Sequence, residues 1–138
     1  MRGIIPPFFM PDFSFRKRER LTSSNSISLL FQEGQSRSSF PLRILFSVRE
    51  DGDIQARVAI SVPKRLFKRA VDRNLLKRRI REAYRLNKEF FYTHLEEMNL
   101  KLNLVIQYQH KEILDFTSIE KGLQKVLEKL AKDLEGSA

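Results

Sequence analysis

Two kinds of side chain in this sequence could do chemistry, and they point in different directions. Acid–base or metal-assisted hydrolysis needs carboxylates, imidazoles or thiolates gathered into a group. The chain has no Cys, its two histidines, His94 and His110, stand in segments without matching carboxylate motifs, and its acids are scattered. Catalysis by this chain alone is therefore not expected. Cations, in contrast, are concentrated. From Arg57 to Lys88 twelve Lys or Arg face only Asp72 and Glu82, so this segment carries +10 and the rest of the chain sums to −1, for a formal net charge of +9. An excess confined to one segment is the footprint of a polyanion partner, because each neutralised phosphate releases condensed counterions.

Helical geometry sharpens that reading. With about 100° per residue and Leu76 set at zero, Ile80, Ala83, Tyr84, Phe90 and Phe91 lie within roughly 80° of it, whereas Asn74, Lys77, Arg78, Arg81, Arg85 and Lys88 fall in a separate arc. One face suits a core and the other a partner. Like charges at i, i+4, such as Lys77 with Arg81, cost roughly 0.2–0.5 kcal/mol per pair in an isolated helix, a repulsion that a bound polyanion offsets. Arginine adds a planar fork that grips two phosphate oxygens. Lys64, Arg65, Lys68 and Arg69 lie just upstream, where the helix N-terminus also favours phosphate and Asp72 and Asn74 are candidate caps.

The elements that must position these residues follow from periodicity. Leu21 to Gly34 reads as a first helix, with Ile27, Leu30 and Phe31 at i, i+3, i+4, preceded by a basic arm of Arg16, Lys17, Arg18 and Arg20. Leu42, Ile44 and Phe46 alternate as a strand. Glu50-Asp51-Gly52-Asp53 reads as a hairpin turn, and Ile54 to Val62 as the return strand, stopped by Pro63. A helix over 72–91 carries the basic arc, a β run covers 102–108, and Thr117-Ser118-Ile119-Glu120 reads as a capping box opening a last helix with Ile119, Leu123, Val126, Leu127 and Leu130 on its core face. The expectation is an α+β fold, a small α-β sandwich in the order α-β-β-α-β-α with room for one extra short strand.

The 138 residues suit one domain, read as 15–135 behind a flexible leader of 1–14. Pro6, Pro7 and Pro11 interrupt the apolar leader, and no small-residue cleavage site follows, so it fits a signal peptide poorly. No stretch approaches the 18–20 or so apolar residues of a membrane helix. A cytoplasmic protein with no membrane partner is expected.

The string Ser61-Val62-Pro63-Lys64-Arg65-Leu66-Phe67-Lys68-Arg69-Ala70-Val71-Asp72-Arg73-Asn74-Leu75-Leu76-Lys77-Arg78-Arg79-Ile80-Arg81-Glu82-Ala83-Tyr84 resembles the signature region of bacterial ribonuclease P proteins. Weaker similarity runs from Arg16-Lys17-Arg18-Glu19-Arg20-Leu21 through Leu30-Phe31 and Gly34 to the last helix, over about residues 15–132. Three positions depart from that family: Leu75 stands at the third place of the usual Arg-Asn-Arg, Arg79 stands where an apolar residue is common and could supply a charge from a neighbouring face, and Ile27 stands where Phe is frequent.

The resemblance implies a left-handed βαβ crossover, a fold like domain 2 of ribosomal protein S5, and an accessory role in removing the 5′ leader of precursor tRNA. It implies ribonuclease P RNA and precursor tRNA as partners, with chemistry carried by the RNA and its Mg²⁺ and no cofactor bound by the protein. Carried onto this chain, it makes Lys64, Arg65, Lys68, Arg69, Arg73, Asn74, Lys77, Arg78, Arg81 and Arg85 the RNA-binding residues. It makes Ile27, Phe31, Phe46, Ser61 and Lys64 a cleft for the single-stranded leader, with core packing the competing reading of each Phe. Charge and helix pattern alone fit a ribosomal or RNA-chaperone protein equally well, and the signature string separates the two. A DNA-reading helix-turn-helix is disfavoured because a strand and a Pro-ended loop precede the basic helix.

Overall fold

The computed structural model describes residues 15–50, 52 and 54–137; the expected leader lies outside them. A 3-10 turn, Lys17–Glu19, leads into α1, Ser24–Glu33. Ser23 starts α1 by accepting a hydrogen bond from the Ser26 amide at 3.2 Å. Gly34 ends it, where a Cβ would stand only 2.5 Å from the Leu30 carbonyl oxygen. Then follow β1 (Gln35–Ser39), β2 (Leu42–Arg49), β3 (Ala56–Ser61), α2 (Ala70–Glu97), β4 (Lys101–Tyr108) and α3 (Phe116–Ser137). The extra short strand for which the sequence left room is β1.

One four-stranded sheet has the order β1-β2-β4-β3. β2 pairs antiparallel with β1 and β4, and β3 pairs parallel with β4, Ala56 opposite Leu102 through Ser61 opposite Gln107. The expected β2–β3 hairpin at Glu50–Asp53 is thus corrected: β4 lies between the two strands. The physical reason is burial. Leu104, Val105 and Ile106 are all completely buried, so β4 is apolar on both faces and takes the centre of the sheet. At the start of β4 the Arg49 guanidinium donates to the carbonyls of Leu102 and Ile54.

The two sheet faces differ. Leu42, Ile44 and Phe46 of β2, Ala56 and Val58 of β3 and Leu102, Leu104, Ile106 and Tyr108 of β4 join the stripes of α2 and α3 in the main core. Alternate residues Leu45 and Val105 face the other way and pack with Leu21, Leu30, Ile27 and Ala59 under α1. All five residues expected on the core face of the last helix are completely buried. Its cap differs from expectation: Asp115, not Thr117, accepts from the Ser118 amide at 2.9 Å, and Glu120 instead accepts from Asn87 of α2 at 2.8 Å. The Ser118 bonds hold the Asp115 carboxyl below its ordinary range.

Helix α2 runs beyond the expected 72–91 because its stripe continues to buried Leu95. It ends where Asn99 takes φ 55°, while Leu100 N–H donates to Leu95 O at 2.9 Å and Asn99 N–H to Glu96 O at 3.1 Å.

Candidate nucleic-acid interface

The loop before α2 is built to present cations. Leu66 and Phe67 amides donate to the Pro63 carbonyl, and buried Phe67 lies with its ring 5.8 Å from that of Tyr108. With this anchor inside, Lys64, Arg65, Lys68 and Arg69 are exposed. Arg73 holds the loop from the helix side, donating to the Phe67 and Lys68 carbonyls at 2.8 Å each. The sequence reading gave Arg73 to RNA and missed this bracing role. Neither candidate side chain caps α2: Arg69 is the N-cap residue, without a side-chain cap bond, and Asp72 approaches its guanidinium at 3.7 Å. Asn74 is exposed.

Along α2, Leu76, Ile80, Ala83, Tyr84 and Phe91 are completely buried, while Arg78 and Arg81 are exposed and Lys77 and Arg85 half-buried. Arg85 is held by Glu82 at 2.6 and 3.1 Å, and the pair lowers the Glu82 carboxyl and raises the Arg85 guanidinium relative to their ordinary values. Two expectations for this helix are corrected. Lys88, placed in the outer arc by angle, is buried at 2% exposed because the 3-10 turn folds over it and supplies Glu19 at 2.6 Å. Arg79 does not take the place of a third motif Arg, since its guanidinium donates to the Leu114 carbonyl at 2.5 Å.

On the opposite sheet face Ile27 packs onto the small core, and Phe31, one turn further along α1, is 43% exposed. Ser61, half-buried, lies on this face by the alternation of β3, and exposed Lys64 follows it. Phe46 does not join them: it is 2% exposed in the main core, with the Arg37 guanidinium 5.4 Å from its ring centre. Side chains alternate across a strand, so Leu45, not Phe46, is the β2 residue beneath α1. Of the expected leader residues, Ile27, Phe31, Ser61 and Lys64 remain on or beside this face.

No three His, Cys, Asp or Glu side chains come together as a metal-ligand set among the described residues. His94 lies 3.6 Å from Glu135 and His110 3.8 Å from Glu112. No described helix is long and apolar enough to cross a membrane.

The family model for ribonuclease P matches residues 15–131. The ribonuclease P protein component of Porphyromonas gingivalis W83 is 34% identical over 129 residues, covering 93% of this chain and 94% of that protein. Among solved structures, the RNase P protein of Thermotoga maritima superposes with a TM-score of 0.64 at 29% identity, covering 81% of this chain and 97% of that one. That of Staphylococcus aureus superposes with a TM-score of 0.66 at 23% identity, covering 81% and 94%, and bears on the fold alone.

Proposed function

The chain belongs to the ribonuclease P protein family, whose members take part in tRNA processing, and from that premise we propose how its two faces divide the work. The α2 face and the loop before it bind ribonuclease P RNA, and the α1 face receives the single-stranded 5′ leader of precursor tRNA. The chemistry is left to the RNA subunit and its Mg²⁺; no three described His, Cys, Asp or Glu side chains gather into a metal-ligand set. The assembly acts in the cytoplasm.

The observation that carries this reading is the separation of faces on α2. Its apolar stripe is completely buried while Arg78 and Arg81 stay exposed beside Lys64, Arg65, Lys68 and Arg69 of the preceding loop. Exposed cations at this density, with only Asp72 and Glu82 among them, fit a phosphate backbone. A ribosomal or chaperone role explains the charge equally but not the family match over 15–131.

Reconstitution tests the proposal. The protein added to ribonuclease P RNA should raise the rate of 5′ leader removal from precursor tRNA at low Mg²⁺, and the RNA-free protein should cleave nothing. Cleavage by RNA-free protein after rigorous nuclease removal, or no effect of the protein on the RNA-catalysed reaction, would overturn it.

A further inference from the structure

Glu19 and Lys88 are the two charged residues buried among the described residues, each 2% exposed. Lys88 Nζ donates to both Glu19 oxygens at 2.6 and 2.9 Å, and the Tyr92 hydroxyl donates to Glu19 Oε2 at 2.7 Å. Tyr84 donates in turn to Tyr92 at 3.1 Å, and Glu19 Oε1 accepts from the Arg16 amide at 3.1 Å. A buried ion pair is poor evidence for stability, because desolvation consumes most of the attraction. What it does fix is geometry: this cluster ties the 3-10 turn to a helix 69 residues away in sequence.

The rest of the arm is laid down around that tie. Phe15 meets Tyr84 edge-on at 5.7 Å, Leu21 N–H donates to Val58 O at 2.9 Å, and Arg20 forms a parallel bridge with Val58 on the outer edge of β3. Arg16, Lys17, Arg18 and Arg20 are thereby held outward beside α2, where Arg85 stands one turn before Lys88. On the α1 side of the same edge, Lys17, Arg18, Arg20 and Arg57 line a cavity of about 320 Å³ together with Thr22, Ser23 and Ser26. The arm therefore carries positive charge around the edge of β3, from the α2 flank to the α1 face. Among the described residues no aromatic ring lines this cavity, so its chemistry suits backbone phosphate and not stacked bases.

We propose that the buried Glu19–Lys88–Tyr92 cluster is a positioning device that clamps the arm, so that Lys17, Arg18 and Arg20 with Arg57 form a second phosphate-binding surface continuous with α2. This rests on the RNA-binding reading of α2 given above. Lys88 touches no RNA in this account; it acts through the arm.

A double-mutant cycle on affinity for ribonuclease P RNA tests the clamp. Lys17, Arg18 and Arg20 are changed together to Gln in the parent and in a Lys88→Met background. In the parent this should weaken binding on the order of tenfold to hundredfold near 0.1 M salt and make the slope of log K against log salt shallower by about two units. Lys88→Met alone should produce most of that loss, and the arm changes should then add less than about twofold. Hydrogen exchange at Leu21 should quicken in Lys88→Met while α3 amides keep their protection. If Lys88→Met fails to fold, Glu19→Gln with Lys88→Met, which leaves no buried charge, carries the same expectations. Additive losses, or an unchanged salt slope in the Lys88 variant, would overturn the clamp. Lys77, Arg78 and Arg81 changed to Gln serve as the control: loss of affinity there with additive arm effects rejects the clamp alone, whereas retained affinity there rejects the RNA surface on which the clamp rests.

Discussion

Replacing Lys77, Arg78 and Arg81 together by Gln should separate binding from folding. Arg78 and Arg81 are exposed and Lys77 half-buried, all on the side of α2 away from Leu76 and Ile80, and Arg85 is left out because Glu82 already holds it. Gln keeps the first two methylenes of the stem and a helix propensity close to that of Lys and Arg. Losing the Lys77–Arg81 repulsion returns about 0.2–0.5 kcal/mol, so the melting temperature should move by no more than about 2–3 °C. Binding should respond quite differently. At roughly 0.7–0.9 per phosphate contact, three lost contacts make the slope of log K against log salt shallower by about two to three units. Filter binding of ribonuclease P RNA over a salt series, run beside thermal melts, gives both numbers. Leu76→Ala is the mirror experiment: that completely buried side chain should cost about 2–5 kcal/mol of stability and leave the slope of the folded fraction unchanged. An unchanged slope in the triple Gln variant refutes the assignment of this face, and a collapsed fold refutes the division of α2 into two faces.

Phe31→Ala should weaken binding of leader-bearing precursor by about 1–3 kcal/mol relative to mature tRNA with little change in stability, whereas Phe46→Ala should cost about 3–5 kcal/mol of stability and not discriminate between the two RNAs. Equal losses for both RNAs with Phe31→Ala would remove it from the leader face. Glu82→Gln should release Arg85 and raise RNA affinity a few-fold, steepening the salt slope by up to about one unit; weaker binding would show that the Glu82–Arg85 pair is itself the recognised arrangement. Burial raises all three tyrosines, Tyr84, Tyr92 and Tyr108. Above about pH 10 the unfolded chain loses phenolic protons that the fold keeps, so stability should fall as pH rises, and phenolate absorbance should appear together with unfolding. A phenolate titration near pH 10 in the still-folded protein would contradict the burial of these rings.

The sequence made the helices legible and the strand partners illegible, for a physical reason. The stripe from Leu76 to Phe91 repeats with a helical period that an isolated segment displays by itself, and so does the face of α3 from Ile119 to Leu130. Strand pairing is not local: β2, an acidic Gly-containing turn and β3 look like a hairpin until β4, buried on both faces, is placed between them. Two-residue alternation groups Phe46 with Leu42 and Ile44, and all three lie in the main core; its place in the leader cleft came from the family resemblance, which alternation along β2 contradicts. Lys88 was misassigned because helix angle says where a side chain points and not what another part of the chain lays over it. The lone acid Glu19 within the run Arg16 to Arg20 was the one available sign of that covering segment.

The central position of β4 also governs the order in which the molecule can be completed. A chain emerging from a ribosome has made β1, β2, β3 and the whole of α2 before the first residue of the strand that joins them. Until then β2 and β3 each present an unsatisfied inner edge to a gap two strand spacings wide, roughly 10 Å. Such edges invite pairing with foreign strands, and the loops that must close are long. When β4 arrives it completes an antiparallel ladder on one side and a parallel ladder on the other. Because α2 lies within the segment that this closure draws tight, its inner stripe has no finished sheet to rest on beforehand. A nascent chain that stops short of Lys101 carries all the cations of the basic helix but has nothing to hold them in register with RNA.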